Sequence, residues 1–405
     1  MLLCSVMELE PGMVTGASIL HPERPEMELL ASGTALTEAI IKRLKQMGIS
    51  QIWTSCDGTE DLDSVMGESL TLAQREVYVQ LKDSFSLTAR SAVTTARLQD
   101  YRQTIMSLVC DVIASKDFAG LSTRLFATEG KLFSHCAAVA YLSVLVGFEL
   151  ENYIIKERSR LSAKEARDYT GLGLAGMLHD IGKTGSGEAL AGVHEVTLPP
   201  ESQKKEWPEG YDLHPRTGYE MLENCRAPAA TRQAVLMHHQ RWDGRGWPPR
   251  RDPAAARLIR PSGKAIHVFS RIVSAANVLD NLMTDKGGAG VPPVFALQAF
   301  ASTRYDGFFD PVVRRAVLRA VPPFPIGGKV SLSDGTQAVV ITPNRDHPCK
   351  PVVRELAGAK TTIELASDPE SRTIAECGKH KTLGVYYEVP SIAKAMDARG
   401  ENVAA

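Results

Sequence analysis

The sequence predicts a mainly α-helical protein in which a central all-helical domain is flanked by two small modules. Between about 120 and 325, apolar residues recur at helical spacing, and Gly- and Pro-rich loops separate the segments. No strand-like alternation stands out there, whereas both ends carry short alternating runs and turn residues. We expect an α+β module at 1–60, a helical connector at 61–120, the all-α domain at 121–325 and a β-rich module with a frayed tail at 326–405.

The composition is that of an ordinary globular protein. With 405 residues, 44% hydrophobic and 23% charged, the chain is long enough for two or three domains. A net charge of −1 gives no global field that would attract a nucleic-acid polymer or an anionic membrane. Seven scattered cysteines without a Cys-x-x-Cys pair favour a reducing compartment, and the N-terminus lacks the basic region of a signal peptide. We therefore expect a cytoplasmic protein with neither nucleic acid nor membrane among its partners.

The N-terminal module is built around one predicted helix, over 36–47. Its apolar residues from Leu36 to Leu44 share a face, and Gly48 follows its end. Residues 49–54 return to an alternation of apolar and polar residues, which predicts a strand. A small α+β unit without a catalytic residue pattern is the simplest interpretation.

The connector is predicted to be helical, because neither proline nor glycine occurs between about 70 and 115. Its apolar positions step by three and four residues, but for only two heptads, which is too short for a coiled coil. A helix packed on its own domain is therefore favoured over a dimer zipper. A homodimer is kept as the alternative. The stepping positions are Leu98, Tyr101, Ile105, Leu108 and Val112.

Seven helices are predicted in the central domain, and a hairpin follows it. The longest apolar run, 136–148, is shorter than the ~20 residues that span a bilayer and indicates a buried helix. After residue 325, an Asp334-Gly335 turn between two short apolar runs predicts two strands. The predicted helices cover 131–155, 163–180, 215–225, 228–239, 264–284, 293–302 and 310–320.

Half of the ten histidines lie at predicted helix ends within residues 135–239, together with one aspartate. Imidazole and carboxylate are ligands that suit iron, manganese or zinc, and one carboxylate can bridge two cations. Lys183 follows one turn after His179 and is suited to a phosphate oxygen. Gly182 is expected to stop the helix that precedes it. The candidate ligands are His135, His179, Asp180, His214, His238 and His239.

Each of these motifs alone favours a simpler interpretation. A single histidine on an apolar helix, such as His135, is more often a buried core residue than a ligand. His214-Pro215 could simply cap a helix, and His179-Asp180 could be a surface pair at a helix end. Five histidines and an aspartate at the helix ends of one domain are hard to assign to packing, so a metal site is the better interpretation.

A basic loop follows the last histidine pair. Residues 241–264 contain seven basic residues against two acids, Asp243 and Asp252, in a chain of net charge −1. A solvated loop would explain several of these charges. Beside a metal site, however, the loop is suited to a phosphate-bearing substrate, and Trp242 or Trp247 could stack on a base.

The ordered motifs resemble the HD-GYP family, a branch of the HD-domain metal-dependent phosphohydrolases, over residues 125–325. They are His135, His179-Asp180-x-Gly182-Lys183, His214-Pro215-x-x-Gly218, and His238-His239-x-x-x-Asp243-Gly244-x-Gly246-Trp247-Pro248.

The resemblance implies an HD-type helical fold and hydrolysis of the bacterial second messenger cyclic di-GMP to pGpG or GMP by a metal-bridged hydroxide. Two divalent ions, iron or manganese, would act as cofactors. Asp180 would be the bridging ligand and the five histidines the other ligands, while Lys183 would contact the scissile phosphate. Expected substrate-binding residues are Lys183, Asp243, Arg245, Trp247 and Lys286.

Five positions depart from the family pattern. Gln240 replaces a glutamate after the histidine pair, and Trp247 replaces the tyrosine of Gly-Tyr-Pro. Asn277 replaces an aspartate ligand, so we expect it to bind metal weakly through its amide oxygen. Lys286 stands where the family has an Arg-Pro-Tyr segment, and it keeps the charge without the bidentate fork. Lys131 replaces a glutamate of trinuclear members, which favours two metals over three.

Two further functions remain open on these grounds. The substitutions at Gln240 and Asn277 would also fit a weak or inactive relative that binds a cyclic dinucleotide or a signalling protein. An HD-type hydrolase acting on another nucleotide is the other alternative, because a fold alone does not fix a substrate.

Overall fold

The computed structural model describes residues 1–21, 24, 27–49, 51–59, 62, 77, 79–80, 93–114, 132–184, 190, 207–251, 258–285 and 291–391. The residues outside this description include most of the predicted connector, much of the segment 182–200, the tail after 391, Lys131 and Lys286.

The protein is mainly helical, with a small strand and helix module at the N-terminus and a sheet at the C-terminus, so the predicted fold class is confirmed. The helices are α1 (Glu38–Gln46), α2 (Thr95–Ala114), α3 (Leu132–Glu149), α4 (Glu151–Glu157), α5 (Ala163–Ala166), α6 (Tyr169–Leu178), α7 (His214–Asn224), α8 (Ala229–Met237), α9 (Val268–Asp285), α10 (Pro293–Ala301) and α11 (Pro311–Ala320). The strands are β1 (Leu2–Ser5), β2 (Ile19–Leu20), β3 (Glu28–Leu30), β4 (Gln51–Thr54), β5 (Arg250–Arg251), β6 (Leu258–Ile259), β7 (Lys329–Leu332), β8 (Gln337–Thr342), β9 (Val352–Glu355), β10 (Thr362–Glu364), β11 (Ile374–Cys377) and β12 (His380–Lys381).

Three details of the central domain differ from the prediction. The helix predicted at 131–155 is interrupted at Leu150, which separates α3 from α4. The helix predicted at 163–180 is also two helices, because the Asp168 side chain accepts a hydrogen bond from Gly171 N (2.8 Å) and begins α6 anew. The short pair β5–β6 lies within the region that was predicted to be entirely helical.

Helix α3 forms the centre of the helical core. By length and composition it could cross a membrane, yet 67% of it is buried inside the protein, as in the core helix of a globular domain. It packs against α6 at a close crossing, where a Cβ on Gly176 would lie 2.8 Å from both the Ala140 Cα and the Val139 carbonyl oxygen. Gly176 therefore lets the two backbones touch, and this contact fixes the end of α6 relative to the start of α3.

The apolar positions of α2 face this core rather than solvent. Leu98, Tyr101, Ile105, Leu108 and Val112 are all buried in the same cluster as α3 and α6. The preferred interpretation of the connector helix, packing on its own domain, is thereby confirmed.

A buried ion network holds α9 in place. The Arg271 guanidinium donates to Asp310 Oδ2 (2.5 Å) and to the Glu157 carboxylate. Asp310 Oδ2 also accepts a hydrogen bond from the Tyr153 hydroxyl (2.6 Å). Arg271 is 5% exposed, so these acceptors compensate for removing its charge from water. The network ties α9 to α4 and to the start of α11.

The C-terminal sheet has six antiparallel strands in the order β10-β9-β8-β7-β11-β12. Strands β7 and β8 are the predicted hairpin, and its turn contains Gly335 at φ 91°. Asp334 Oδ1 accepts from Thr336 N (2.9 Å) and closes the turn. The N-terminal module packs on this sheet, because Leu3 N donates to Gly327 O (2.8 Å) and Val339 lies in the apolar core of that module. The divisions at 60, 120 and 325 remain predictions.

Candidate metal centre

The candidate centre begins with the approach of two helix ends. Helix α6 ends at Leu178, and a 3-10 turn over Ile181–Lys183 continues the chain beneath the start of α7. Gly182 was expected to stop the helix, but the helix ends four residues earlier and Gly182 lies inside the 3-10 turn. A Cβ at Gly182 would lie 2.0 Å from the His214 carbonyl oxygen, so glycine is needed for the close approach of the two segments. This contact places Asp180 beside His214.

The six predicted ligands form two groups of three. The ligand atoms within each group all lie within 4.8 Å of one another. His135 near the start of α3 joins His179 and Asp180 in the first group, so α3 and α6 both contribute. His214 at the start of α7 joins His238 and His239, which follow the end of α8. The first group is His135, His179 and Asp180, and the second is His214, His238 and His239.

The Asp180 carboxylate lies between the two groups. Its Oδ2 is 3.4 Å from His179 Nε2 and 3.9 Å from His135 Nε2. Its Oδ1 is 3.1 Å from His214 Nε2 and 3.7 Å from His238 Nε2. One oxygen therefore faces each group, which is the arrangement that a bridging carboxylate requires.

Hydrogen bonds to backbone carbonyls set the tautomers of three of these histidines. Nδ1 of His179 lies 2.8 Å from Gly176 O, Nδ1 of His214 lies 2.5 Å from Tyr211 O, and Nδ1 of His238 lies 2.6 Å from Val235 O. A carbonyl oxygen only accepts, so each Nδ1 carries the proton and donates. Each Nε2 of a neutral ring then presents a bare lone pair to the cavity, as a metal ligand must.

These lone pairs face one another at short range. The Nε2 atoms of His135 and His179 are 3.2 Å apart, and His214 Nε2 is 3.2 Å from His238 Nε2 and 3.1 Å from His239 Nε2. Asp180 Oδ1 is buried and has no hydrogen-bond donor among the described residues. Bare imidazole nitrogens and an unsatisfied buried carboxylate oxygen repel one another unless cations lie between them, so these residues fit divalent metal ions.

Burial keeps the ligands in the protonation states that metal binding needs. It lowers the pKa of His179 to about 3, and together with neighbouring imidazoles it holds the pKa of His238 and His239 well below the usual value. Burial would raise the pKa of Asp180, but the Lys183 ammonium, His179 and His214 together outweigh burial and hold that pKa well below its usual value. The imidazoles of His179, His238 and His239 are therefore neutral and the Asp180 carboxylate is ionised at neutral pH.

His135 is oriented by Asp280, which was not among the residues predicted from the sequence. His135 Nδ1 lies 2.6 Å from Asp280 Oδ2. Burial alone would lower the pKa of His135, but the hydrogen bond and charge of Asp280 outweigh burial and raise it. A carboxylate behind a ligating imidazole fixes the ring and increases its basicity. The signal in the sequence was the position of Asp280, three residues after Asn277 on the same helix face.

Asn277 is buried on α9, and its Oδ1 accepts a hydrogen bond from Asn281 Nδ2 (2.8 Å). Its predicted role as a weak ligand remains a prediction. Lys183 is also buried, and its Nζ donates to Asp180 Oδ2 (2.7 Å) and lies 5.1 Å from the centroid of the Tyr211 ring. The ammonium is therefore fixed beside the carboxylate that faces both histidine groups.

The other expected substrate residues lie in the loop after α8. Asp243 accepts hydrogen bonds from the Arg241 side chain (2.6 Å) and from Arg245 N (2.9 Å), so its carboxylate organises the loop. The Arg245 side chain is 80% exposed. Trp247 lies at the histidine cluster, and Lys286 is outside the described residues. A substrate role for these four residues remains a prediction.

An aromatic wall borders the second histidine group. The Trp247 ring stacks on His239, with centroids 4.0 Å apart and planes 13° apart. Tyr211 packs against His214 at 5.0 Å, and Trp207 packs against Trp247 at 5.0 Å. Trp207 and Tyr211 were not selected from the sequence, because they lie in the segment that precedes His214 and only the fold brings them to Trp247.

The chain is similar to several known proteins. The HD domain family profile matches residues 149–313. Cyclic di-GMP phosphodiesterase PA4108 from Pseudomonas aeruginosa is 24% identical over 360 residues, covering 81% of this chain and 78% of the relative. Cyclic di-GMP phosphodiesterase response regulator RpfG from Xanthomonas campestris pv. campestris is 30% identical over 168 residues, covering 41% of this chain and 39% of the relative. The solved structure of Bd1817, an HDG"Y"P protein from Bdellovibrio bacteriovorus, covers 78% of this chain and 97% of its own at 14% identity and a TM-score of 0.42.

The HD domain match at residues 149–313 contains five of the six candidate metal ligands, all except His135. This match and the two cyclic di-GMP phosphodiesterase relatives confirm the predicted resemblance to the HD-GYP branch of HD-domain proteins.

Proposed function

We propose that this protein is a metal-dependent phosphodiesterase that hydrolyses cyclic di-GMP to pGpG or GMP. The observation that carries the proposal is the Asp180 carboxylate, which faces one histidine group with each oxygen. Two relatives, both named cyclic di-GMP phosphodiesterases, supply the substrate.

In this proposal each group of three residues would hold one divalent ion, iron or manganese, and Asp180 would be a ligand shared by both. When bound, the ions supply an activated water and positive charge for the phosphodiester. The Nδ1 hydrogen bonds of His179, His214 and His238 keep the Nε2 atoms directed inward before any ion binds. Little reorganisation is then needed on loading, which favours tight binding.

Lys183 has two roles in this proposal. Its ammonium keeps Asp180 ionised, because the two charged groups are 2.7 Å apart and almost fully buried. It also offers further N–H donors to a phosphate oxygen that enters beside Asp180, since an ammonium has three donors. The positive charge is thus placed where a phosphodiester would lie next to the histidine groups.

The variant Asp180→Asn tests the proposal. The amide keeps the shape of the side chain but loses the charge that two cations would share, so metal content and dinucleotide turnover should both fall below detection. Asp346→Asn is the matched control, because Asp346 is exposed and pairs with Arg319 outside the centre. Full turnover of cyclic di-GMP by Asp180→Asn would refute the mechanism.

A weak or inactive relative that binds the dinucleotide or a signalling protein is the second candidate, and Asn277 is the observation that favours it. An aspartate at this position could still accept the hydrogen bond from Asn281 and would add a charged ligand oxygen. If the missing charge limits the protein, Asn277→Asp should increase turnover and tighten metal binding. Unchanged turnover from an already active wild type would remove this explanation.

The substrate assignment is tested separately from the chemistry. A panel with cyclic di-GMP, pGpG, cyclic mononucleotides and nucleoside monophosphates should show turnover of the cyclic dinucleotide. Preferred hydrolysis of a mononucleotide would instead support the alternative of an HD-type hydrolase with another nucleotide substrate.

A further inference from the structure

We propose that Trp247 is a positioning residue for the metal centre: its indole holds the His239 imidazole in the orientation that directs Nε2 at the second histidine group. The inference rests on metal binding at this centre, which is part of the proposed function, but not on the identity of the substrate. It assigns to Trp247 a role different from the base contact that the sequence suggested.

The loop after α8 is folded so that Trp247 must lie over His239. The backbone N–H of Trp247 donates to His239 O (3.2 Å), and the Gln240 side-chain amide donates to Pro248 O (2.6 Å). A Cβ at Gly246 would lie 2.4 to 2.5 Å from Arg241 N, the Gln240 Cα and His239 O. The loop backbone therefore returns to the end of α8 and contacts it, which places the Trp247 side chain next to His239.

The same loop contact gives a structural reason for glutamine at position 240. Its Nε2 donates to a carbonyl oxygen, which an ionised glutamate could not do because a carboxylate only accepts. The glutamine at this position and the tryptophan at position 247 thus belong to one arrangement of the loop: the amide holds the backbone, and the indole covers the histidine.

The ring geometry shows which partner the indole serves. Trp247 and His239 are stacked nearly parallel at 4.0 Å, whereas Tyr211 and Trp207 lie against Trp247 at 5.7 Å and 5.0 Å and are tilted by 49° and 55°. One face of the indole is therefore already in contact with an imidazole. A guanine base stacking on that face would have to displace His239. The Nε2 atom of His239 lies 3.1 Å from the Nε2 atom of His214.

Trp207 supports the stack from the segment before α7. It packs against Trp247 and, at 5.6 Å and 89°, against Tyr211, which itself contacts His214. The three aromatic rings connect the loop after α8 to the start of α7, so they fix His239 relative to His214. Groups that orient a metal ligand typically change metal affinity by about 10- to 100-fold when they are removed.

Mn²⁺ binding measured by isothermal titration on the full-length protein tests this inference. We expect Trp247→Leu to weaken one of the two binding steps by at least about tenfold, while Trp247→Tyr, which retains a ring that can stack, stays within about threefold. Trp207→Leu should give a smaller loss of the same step. The matched control is Tyr386→Leu, which removes an exposed aromatic ring from the C-terminal segment and should bind Mn²⁺ like the wild type.

A double-mutant cycle shows whether Trp247 acts through His239. In a His239→Ala background, Trp247→Leu should have no further effect on Mn²⁺ affinity, because the imidazole that it positions is gone. An equal loss in both backgrounds would overturn the inference. Far-UV circular dichroism identifies misfolded variants, and the graded comparison of tryptophan, tyrosine and leucine at 247 still decides the question if one variant does not fold.

Kinetics separate this role from substrate stacking. A raised KM for cyclic di-GMP with unchanged Mn²⁺ affinity in Trp247→Leu would make the indole a base platform and overturn the inference. Wild-type protein that binds Mn²⁺ without hydrolysing cyclic di-GMP would refute the proposed function and leave the positioning role intact. Wild-type protein that binds no Mn²⁺ would refute both.

Discussion

The carboxylate behind His135 gives the sharpest prediction about metal affinity. Asp280 is 5% exposed, and its Oδ2 lies 2.6 Å from His135 Nδ1. A hydrogen bond to a charged group contributes about 1.5 to 3 kcal/mol, and about 1.4 kcal/mol corresponds to a factor of ten in binding. Asp280→Ala should therefore weaken Mn²⁺ binding to the first group about 10- to 100-fold.

The reason is that alanine leaves the His135 ring free to rotate and to change tautomer. Asp280→Asn keeps an oxygen that accepts from Nδ1 but loses the charge, so its loss of affinity should be smaller. Isothermal titration with Mn²⁺ measures both variants, with Asp346→Asn as the control for a carboxylate lost elsewhere. Wild-type affinity in Asp280→Ala, with the fold intact by circular dichroism, would refute the idea that this carboxylate orients a ligand.

Three further predictions concern the surroundings of Asp180. Lys183→Met should weaken metal binding and lower kcat, because it removes the cation that does most to lower the pKa of Asp180; unchanged metal content and kcat would contradict this. Gly182→Ala should lower the melting temperature and abolish metal binding, since the added Cβ would lie 2.0 Å from His214 O and overpacking costs about 1–3 kcal/mol; wild-type melting would contradict this. The metal-free protein should lose stability as pH falls from about 6.5 towards 3, because the folded state keeps His179 neutral to a pKa of about 3 while the unfolded chain takes up the proton near 6.5. Thermal melts across this pH range measure the effect, and a flat or rising melting temperature would count against the buried neutral imidazole.

The sequence allowed the candidate ligands to be selected because each of them belongs to a short local motif at a helix end. His179-Asp180, His214-Pro215 and His238-His239 all fall where helical periodicity stops, and the structure brings them together with His135. The fold class followed from the same periodicity. Helix ends are local properties of a sequence, so they can be predicted without knowledge of the tertiary packing.

What the sequence could not supply depends on contacts between distant segments. Asp280 lies 145 residues after the histidine that it orients, and only the packing of α9 on α3 shows the pair. A glycine such as Gly182 is a common signal for the end of a helix. Here glycine is needed because the backbone of His214 packs directly against it. Trp247 was selected as a functional residue, but its partner could not be predicted, because the turn at Gly246 folds the indole back on a histidine eight residues earlier.

The central claim is that Asp180 and five histidines bind two metal ions that catalyse the hydrolysis of cyclic di-GMP. The most direct test is elemental analysis of anaerobically purified full-length protein, with cyclic di-GMP turnover assayed on the same sample. The account predicts about two iron or manganese ions per chain and the appearance of pGpG or GMP. Protein that carries no metal and gains no activity when Fe²⁺ or Mn²⁺ is added would contradict it.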